Sequence, residues 1–174
     1  MESPLVLAAG AALALLGCAS PDKASRGELA SGSNRAFHHE RATSASADAI
    51  WALWMDVSRW KEWDSGLKDA RADAPLRLDV EGEIIPASGP ASRFRVISFD
   101  EPRSYAFRTQ LPLAELEVRR SIVAAAPATF RHDVSSSGPR AGLWSALLGP
   151  QFRRALPQSM DALAGLAEAK ANAP

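Results

Sequence analysis

Large apolar residues recur at helical spacing near the C-terminus, from about Ala141 to Ala171, which predicts a long amphipathic helical region. The apolar ridge consists of Trp144, Leu148, Phe152, Leu156, Met160, Leu163 and Leu166. Gly149-Pro150 should divide this region into a short lead-in helix and a long helix, because proline lacks an N–H, and Pro157 should kink the long helix. A helix with one apolar face is unstable alone in water, so the rest of the domain must supply a concave apolar surface.

Upstream of this region the pattern of apolar positions changes twice. Ala36 to Ala42 alternates as a strand that places Phe37 and His39 on one face. Ser46 can cap a following helix, and Asp56 to Asp64 forms a second short helix or turn. Beyond these helices the apolar period becomes two and is punctuated by turns that contain proline or glycine. This pattern indicates a meander of antiparallel strands with one wet face.

Composition narrows the possible functions. The 174 residues are 47% hydrophobic and 23% charged, which suits one domain with a substantial core. The 20 Lys and Arg residues balance 20 Asp and Glu residues, so nucleic-acid binding is not expected. Cys18 is the single cysteine, which excludes an internal disulfide. No HExxH, CxxC, phosphate-loop or GxSxG motif occurs, and His38 and His39 point to opposite faces of a strand. We therefore expect no metal and no cofactor. We also expect a monomeric chain.

The N-terminal segment has the pattern of a targeting signal. Leu5 to Leu16 is an apolar run of about twelve residues, the length of a signal-peptide core. It ends in Leu15-Leu16-Gly17-Cys18, which resembles a bacterial lipobox, although residues 1–4 lack the usual positive charge. We therefore expect a signal peptide over residues 1–17, a flexible tether over residues 18–34 and the folded domain over residues 35–174.

The lipobox resemblance implies that Cys18 is lipidated and that the chain is anchored in a bacterial cell envelope, on the periplasmic side or the outer face. A plain secretory signal is one alternative. A fortuitous apolar helix on a cytoplasmic protein is the other.

The sequence resembles the START-like polyketide cyclase/dehydrase group of the SRPBCC superfamily. The matching segments are Ala47-Asp48-Ala49-Ile50-Trp51, Met55-Asp56-Val57, Trp60-Lys61-Glu62-Trp63-Asp64, Phe130-Arg131-His132 and Ser137-Gly138-Pro139. From about Arg35 to Ala171, the resemblance implies an α+β helix-grip fold: a curved antiparallel sheet wrapped around a long C-terminal α-helix, with two short helices after the first strand. Spaced Trp, Asp and Gly-Pro positions specify a fold far better than a function.

A cavity between the sheet and the last helix is the expected ligand site. Trp54 and Trp60 have the spacing of core residues, whereas Trp51 and Trp63 suit the rim of a pocket mouth, where an indole N–H stays wet. Gly82 should leave space beside the aromatic residues. The residues expected to contact a ligand are Trp51, Trp63, Phe94, Phe107, Leu116, Phe130, His132, Trp144, Leu148 and Phe152.

Two polar residues fall on the apolar face of the sheet by strict alternation. Arg120 and His132 each need a polar partner there. One interpretation is that they bind a carboxylate, phenol or carbonyl of a ligand. The other is a register shift, or a buried pair with a local acceptor such as Asp64. No catalytic residue is assigned, and the candidates are His132, Arg120 and Tyr105.

Three functions are compatible with this sequence. The leading hypothesis is non-catalytic binding or transport of a hydrophobic or amphipathic small molecule, lipid-like or polyketide-like, in the cavity. The alternative is an enzyme of the polyketide cyclase, aromatase or dehydratase type. A third hypothesis is an envelope protein-interaction module with the Trp-rich segment as its contact patch.

Overall fold

A seven-stranded sheet and a long C-terminal helix form most of the structure, a computed structural model that describes residues 36–171. The strands are β1 (Ala36–Thr43), β2 (Leu67–Ala72), β3 (Glu81–Pro86), β4 (Ser92–Asp100), β5 (Ser104–Leu111), β6 (Ala114–Ala125) and β7 (Ala128–Ser137). The helices are α1 (Ala47–Met55), α2 (Trp60–Trp63) and α3 (Ala141–Ala171), with a 3-10 turn at Val57–Arg59. The predicted signal peptide, tether and lipidated Cys18 lie outside the described residues.

The sheet confirms the predicted helix-grip fold. Its strand order is β1-β7-β6-β5-β4-β3-β2, with every neighbouring pair antiparallel, and it curls into a half-barrel around α3. Strands β2 to β7 follow one another as a meander, and β1 closes the far edge by pairing with the last strand. One face of this curled sheet packs on the helices and buries the alternating apolar residues.

Helix α1 forms where the sequence predicts it. The Ser46 side chain accepts a hydrogen bond from the Ala49 backbone N–H at 3.2 Å, which satisfies an otherwise unpaired amide of the first turn. Ile50, Leu53 and Trp54 are buried at the spacing of one helical face. The short helix α2 then buries Trp60 and Trp63, so both predicted helices are confirmed.

Helix α3 runs without interruption through Pro150 and Pro157. The predicted division at Gly149-Pro150 is therefore wrong, because packing against the sheet outweighs the loss of one backbone hydrogen bond. A Cβ atom at Gly149 would lie 2.8 Å from Cζ of Phe37, which shows how closely the helix backbone approaches β1.

The two halves of α3 are buried to different degrees. In the second half, Leu156 is 8% exposed and Met160 and Leu163 are fully buried. In the first half, the large apolar residues on the sheet side are only half-buried. These residues are Trp144, Leu148 and Phe152. The second half is therefore part of the core, and the first half is a looser cover over one end of the sheet.

The space expected beside Gly82 is filled. A Cβ atom at this position would lie 2.5 Å from the Phe94 ring and in collision with the Arg71 carbonyl oxygen of the neighbouring strand. The Phe94 ring in turn packs against Phe107 and Trp60, with ring centroids 5.3 and 5.9 Å apart. The prediction of an open cavity beside this glycine is wrong, because the small residue admits an aromatic ring instead of a ligand.

Candidate functional site

Four polar side chains form one row across the core face of four neighbouring strands. The strand registers place Tyr105 opposite Arg120, Arg120 opposite His132, and His132 opposite His39. Their exposed fractions are 0, 3, 2 and 6% in the order Tyr105, Arg120, His132 and His39. We call these four residues the polar row. The predicted inward placement of Arg120 and His132 is confirmed, while their role toward a ligand stays a prediction.

Arg120 is held by aromatic rings as well as by a hydrogen bond. Its Nη1 atom donates to the Tyr105 hydroxyl oxygen. Its guanidinium carbon lies 4.3 Å from the ring centroid of Trp60 and 4.7 Å from that of Trp63. Such cation–π contacts are strongest where water is excluded. Among residues 36–171, the Arg120 Nε atom has no hydrogen-bond partner.

Asp64 lies near this guanidinium but does not form the buried pair considered above. Its Oδ1 atom accepts hydrogen bonds from the Gly66 backbone N–H at 3.0 Å and from the Ser159 hydroxyl at 3.4 Å. Burial raises the pKa of Asp64, and the positive charge of Arg120 offsets part of that rise. Within the described part of the chain, no ion pair joins the two side chains at 4.0 Å or less.

His132 is enclosed by aromatic side chains. The ring centroids of Trp54, Phe130 and Trp63 lie 5.6, 5.9 and 6.1 Å from its own. Its Nε2 atom is buried and has no hydrogen-bond partner among the residues that the structure describes. Burial holds the pKa of His132 well below 6.5, and the nearby Arg120 cation lowers it further. The imidazole is therefore neutral at neutral pH and can accept a hydrogen bond.

Tyr105 has the opposite chemical character. Burial raises its pKa to about 12, although the Arg120 charge and hydrogen bond act in the other direction. The phenol is therefore protonated and can donate a hydrogen bond. The polar row thus combines a neutral hydrogen-bond acceptor, a hydrogen-bond donor and a fixed cation, all of them buried.

The four tryptophans between positions 51 and 63 all lie in the core. Trp51, Trp54, Trp60 and Trp63 are 7, 0, 0 and 2% exposed. The prediction that Trp51 and Trp63 rim a pocket mouth is wrong, because their Nε1 atoms are buried rather than wet. Their rings instead pack edge to face or tilted on neighbours, with Trp51 6.1 Å from Tyr105. The hypothesis of a Trp-rich contact patch fails for the same reason, since these rings are not at the surface.

A small cleft opens at the other end of the sheet, beneath the first half of α3. The cleft has a volume of about 10 Å³, which is room for roughly one water molecule. Its apolar lining comes from β1, β6, β7 and α3. These residues are Phe37, Leu116, Val134, Trp144, Leu148 and Phe152.

Two hydrogen bonds border the cleft. The Ser136 and Ser145 hydroxyls are 2.7 Å apart and join β7 to α3, and the Trp144 indole N–H donates to the Pro112 carbonyl oxygen at 3.1 Å. The first half of α3 is thus fastened to the sheet by a few polar contacts and by half-buried apolar side chains. This is weaker attachment than the fully buried packing of the second half.

The structure separates the predicted ligand contacts into two groups. One group lies in the closed core: Trp51, Trp63, Phe94, Phe107, Phe130 and His132. The other group lines the cleft: Leu116, Trp144, Leu148 and Phe152. Sequence analysis placed His39 on the same strand face as Phe37 but missed its place in the polar row, because the pairing of β1 with β7 joins segments more than 80 residues apart.

Neither a metal site nor a membrane-spanning helix is present in the described part of the chain. Within residues 36–171, no three histidine, cysteine or acidic side chains are placed to share a metal ion. No helix of this range has the length and hydropathy needed to cross a membrane.

The curled sheet and the long helix that it grips define the class of helix-grip folds. Residues 35–168 match the family described as "Polyketide cyclase / dehydrase and lipid transport", and the chain belongs to this family. The resemblance noted in the sequence is thereby confirmed. A search of curated proteins gives no significant match.

Solved structures with the same fold include enzymes. Protein NE0264 from Nitrosomonas europaea is 10% identical, with a TM-score of 0.63 over 82% of this chain and 100% of the other. Norcoclaurine synthase from Thalictrum flavum, solved with a transition-state analogue, is 14% identical, with a TM-score of 0.56 over 79% and 96% of the two chains. The di-domain ARO/CYC BexL is 14% identical, with a TM-score of 0.59 over 80% of this chain and 50% of the other. At these identities the likeness establishes the fold alone.

Proposed function

We propose that this protein binds a hydrophobic or amphipathic small molecule, lipid-like or polyketide-like, between the sheet and the first half of α3, without changing it chemically. The observation that carries this proposal is the unequal burial of one helix. Met160 and Leu163 are fully buried, whereas the equally apolar Trp144, Leu148 and Phe152 remain half-buried around the cleft. The free energy falls when another apolar group covers apolar surface that is partly exposed to water.

A ligand larger than water requires the first half of α3 to move. Pro150 and Pro157 lack the N–H groups that would otherwise bond to the carbonyls of Ala146 and Arg153, so the backbone of this half holds fewer hydrogen bonds. Segments with fewer buried apolar contacts open at lower free-energy cost than the global core. We therefore expect a ligand to bind at the cleft.

The direct test is a titration of the purified protein with fatty acids, sterols and polycyclic phenols, followed by tryptophan emission. Trp144 borders the cleft and the other four tryptophans are buried in the core, so an emission shift should come mainly from this residue. We expect saturable binding at micromolar concentrations for at least one class of ligand. The shift should disappear in Trp144→Phe, with binding still detectable by native mass spectrometry.

A matched pair of variants on α3 locates the binding site. Leu148→Gln places a polar group in the cleft, whereas Leu166→Gln alters another half-buried leucine of the same helix outside the cleft. We expect the first change to weaken ligand binding at least about tenfold and the second to leave it near the wild-type value. Equal effects of the two changes, or no binding by any member of the panel, would contradict the proposal.

The polar row favours an enzyme as the second candidate function. A neutral His132 has the unpartnered ring nitrogen that a general base requires, while Tyr105 and Arg120 can polarise a carbonyl group by donating hydrogen bonds. Incubation with a polyketide-like substrate, followed by mass spectrometry, tests this candidate. Recovery of a product that has lost water, or that is isomeric but cyclised, would support it if His132→Gln abolishes the change. Unaltered ligand would leave carrier function as the account.

We further propose that the chain is anchored to the bacterial envelope through Cys18. The support is the lipobox-like Leu15-Leu16-Gly17-Cys18 at the end of an apolar run of signal-peptide length. Metabolic labelling with palmitate in a bacterial host should label the wild type and not Cys18→Ser. An unlabelled wild type that is exported, or that remains in the cytoplasm, would contradict the anchor.

A further inference from the structure

Three exposed leucines lie around the start of α3. Leu143 and Leu147 are 52 and 61% exposed, and Leu113, in the turn between β5 and β6, is 60% exposed. The turn is tied to the helix because the Arg140 backbone N–H donates to the Leu113 carbonyl oxygen at 3.0 Å. We call Leu113, Leu143 and Leu147 the leucine patch.

The two leucines of the patch that belong to α3 lie on its solvent-exposed side. Leu143 and Leu147 are four residues apart and therefore share one helical face, and Arg140 and Arg154 continue that face at its two ends. Ala141, Ser145 and Gly149 occupy the buried side. In this first half of the helix the fully buried positions hold small residues, and two large leucines are exposed, although an amphipathic surface helix normally places polar residues on its outer face.

The charge around the leucine patch has one sign. From Arg140 to Met160 the sequence has three arginines and no acidic residue, and all three arginines are exposed. Arg140 stands at the helix N-terminus, where the helix dipole disfavours a cation. On β6, Glu115 and Glu117 alternate with the cleft-lining Leu116 and so face away from α3. Arg108 holds both carboxylates at 3.1 and 3.2 Å.

We propose that the leucine patch docks the protein on the surface of a bilayer that contains anionic lipids. The three leucines enter the boundary between headgroups and acyl chains, and Arg140 and Arg154 bind the lipid phosphates. A bilayer supplies both an apolar layer for the leucines and negative charge at the level of the flanking arginines. The patch adjoins the rim of the cleft at Trp144, so docking places that rim against the membrane, although docking itself does not depend on ligand binding.

Vesicle flotation tests the docking with full-length Cys18→Ser, which has no site for an acyl chain. The vesicles are phosphatidylcholine alone, or phosphatidylcholine mixed with phosphatidylglycerol. We expect stronger binding to the mixed vesicles, and weaker binding at high salt, since the arginine contacts are screened. The double change Leu143→Glu with Leu147→Glu should reduce the bound fraction at least about tenfold.

A control on another surface of the domain separates the patch from general stickiness. Leu78, in the segment between β2 and β3, is 55% exposed, so Leu78→Glu introduces the same charge at a comparably exposed leucine. We expect this control to bind vesicles like its parent. Because Leu78, Leu143 and Leu147 are all exposed, melting temperatures should stay near the parent value in both variants.

A second measurement distinguishes docking by the patch from attachment by the apolar N-terminal run. Lipids brominated on their acyl chains should quench Trp144, which lies beside the patch, and should leave the four core tryptophans unaffected. The quenching should vanish in Trp144→Phe and in the double glutamate variant. Flotation that is equal in the double variant and the Leu78→Glu control overturns the proposal. Flotation without quenching of Trp144 also overturns the proposal. Self-association or protein binding through the leucine patch, in place of vesicle binding, overturns it as well.

Discussion

At the scale of single residues, glycines show where this fold tolerates no side chain. Gly82 lies under the Phe94 ring and against the Arg71 carbonyl, whereas Gly165 on α3 has no neighbouring atom within 4 Å of a built Cβ. The same substitution should therefore have opposite effects at the two positions. At Gly82 an added methyl group overpacks the core, and at Gly165 it restricts the unfolded chain and favours the helix.

We predict that Gly82→Ala lowers the free energy of unfolding by about 1–3 kcal/mol. Gly165→Ala should raise it by roughly 0.5–1 kcal/mol. Chemical denaturation of both variants measures these changes. The slope of unfolding free energy against denaturant concentration should stay at its wild-type value. A neutral Gly82→Ala would mean that the Phe94 ring is not seated on this glycine.

His132 should make folding sensitive to mild acid. Its pKa in the folded protein is lower than in the unfolded chain, because burial, Arg120 and His39 disfavour the imidazolium. The unfolded state therefore binds more protons, and the stability that is present above the unfolded pKa of 6.5 is lost as the pH falls below it. His39, whose pKa burial also lowers, acts in the same direction, although Asp161 opposes the shift.

When the pH falls from about 7.5 to about 5, a His132 that stays neutral in the folded state should lower the free energy of unfolding by about 2 kcal/mol. His132→Gln removes the titrating group, so its stability should change less over this range. Denaturation curves recorded at several pH values measure the difference. An identical pH dependence in wild type and variant would place His132 in contact with solvent.

At the scale of elements, α3 combines two kinds of packing. Leu163 is fully buried in the second half, and Phe152 is half-buried beside the cleft in the first. We predict that Leu163→Ala costs about 2–5 kcal/mol of stability, whereas Phe152→Ala costs about 1–2 kcal/mol. Thermal or chemical unfolding decides the order. A larger loss for Phe152→Ala would show that the first half of the helix is as tightly packed as the second.

The local sequence pattern predicts individual helices and strands well, but it predicts less well how they pack and pair with one another. The cap at Ser46 and the buried face of α1 depend on a few consecutive residues, and the sequence predicts both. The break at Gly149-Pro150 fails because contact with Phe37 keeps the helix continuous, and that contact joins residues far apart in the chain. Alternation likewise places Arg120 and His132 correctly, but it carries no information on the strand pairing that brings His39 beside them.

At the scale of the whole molecule, a closed aromatic core lies next to a small cleft beneath the first half of α3. The rings of Trp54, Trp60, Phe94 and Phe130 fill the centre of the grip, and the looser cover formed by the first half of α3 lies beyond them. The sequence predicts a helix-grip fold with an internal ligand space, but not that the centre would be full. That outcome depends on how side-chain volumes fit together across strands, which periodicity does not encode.

The central claim is that an apolar ligand binds beneath the first half of α3, and amide hydrogen exchange tests it most directly. In the free protein, residues 142–155 should exchange faster than residues 156–170, since the first half of the helix has fewer buried contacts. A saturating ligand identified by the titration should slow exchange in residues 142–155 and in the facing strands β6 and β7. Equal protection of the two halves in the free protein, or ligand-induced protection that leaves residues 142–155 unchanged, would contradict the account.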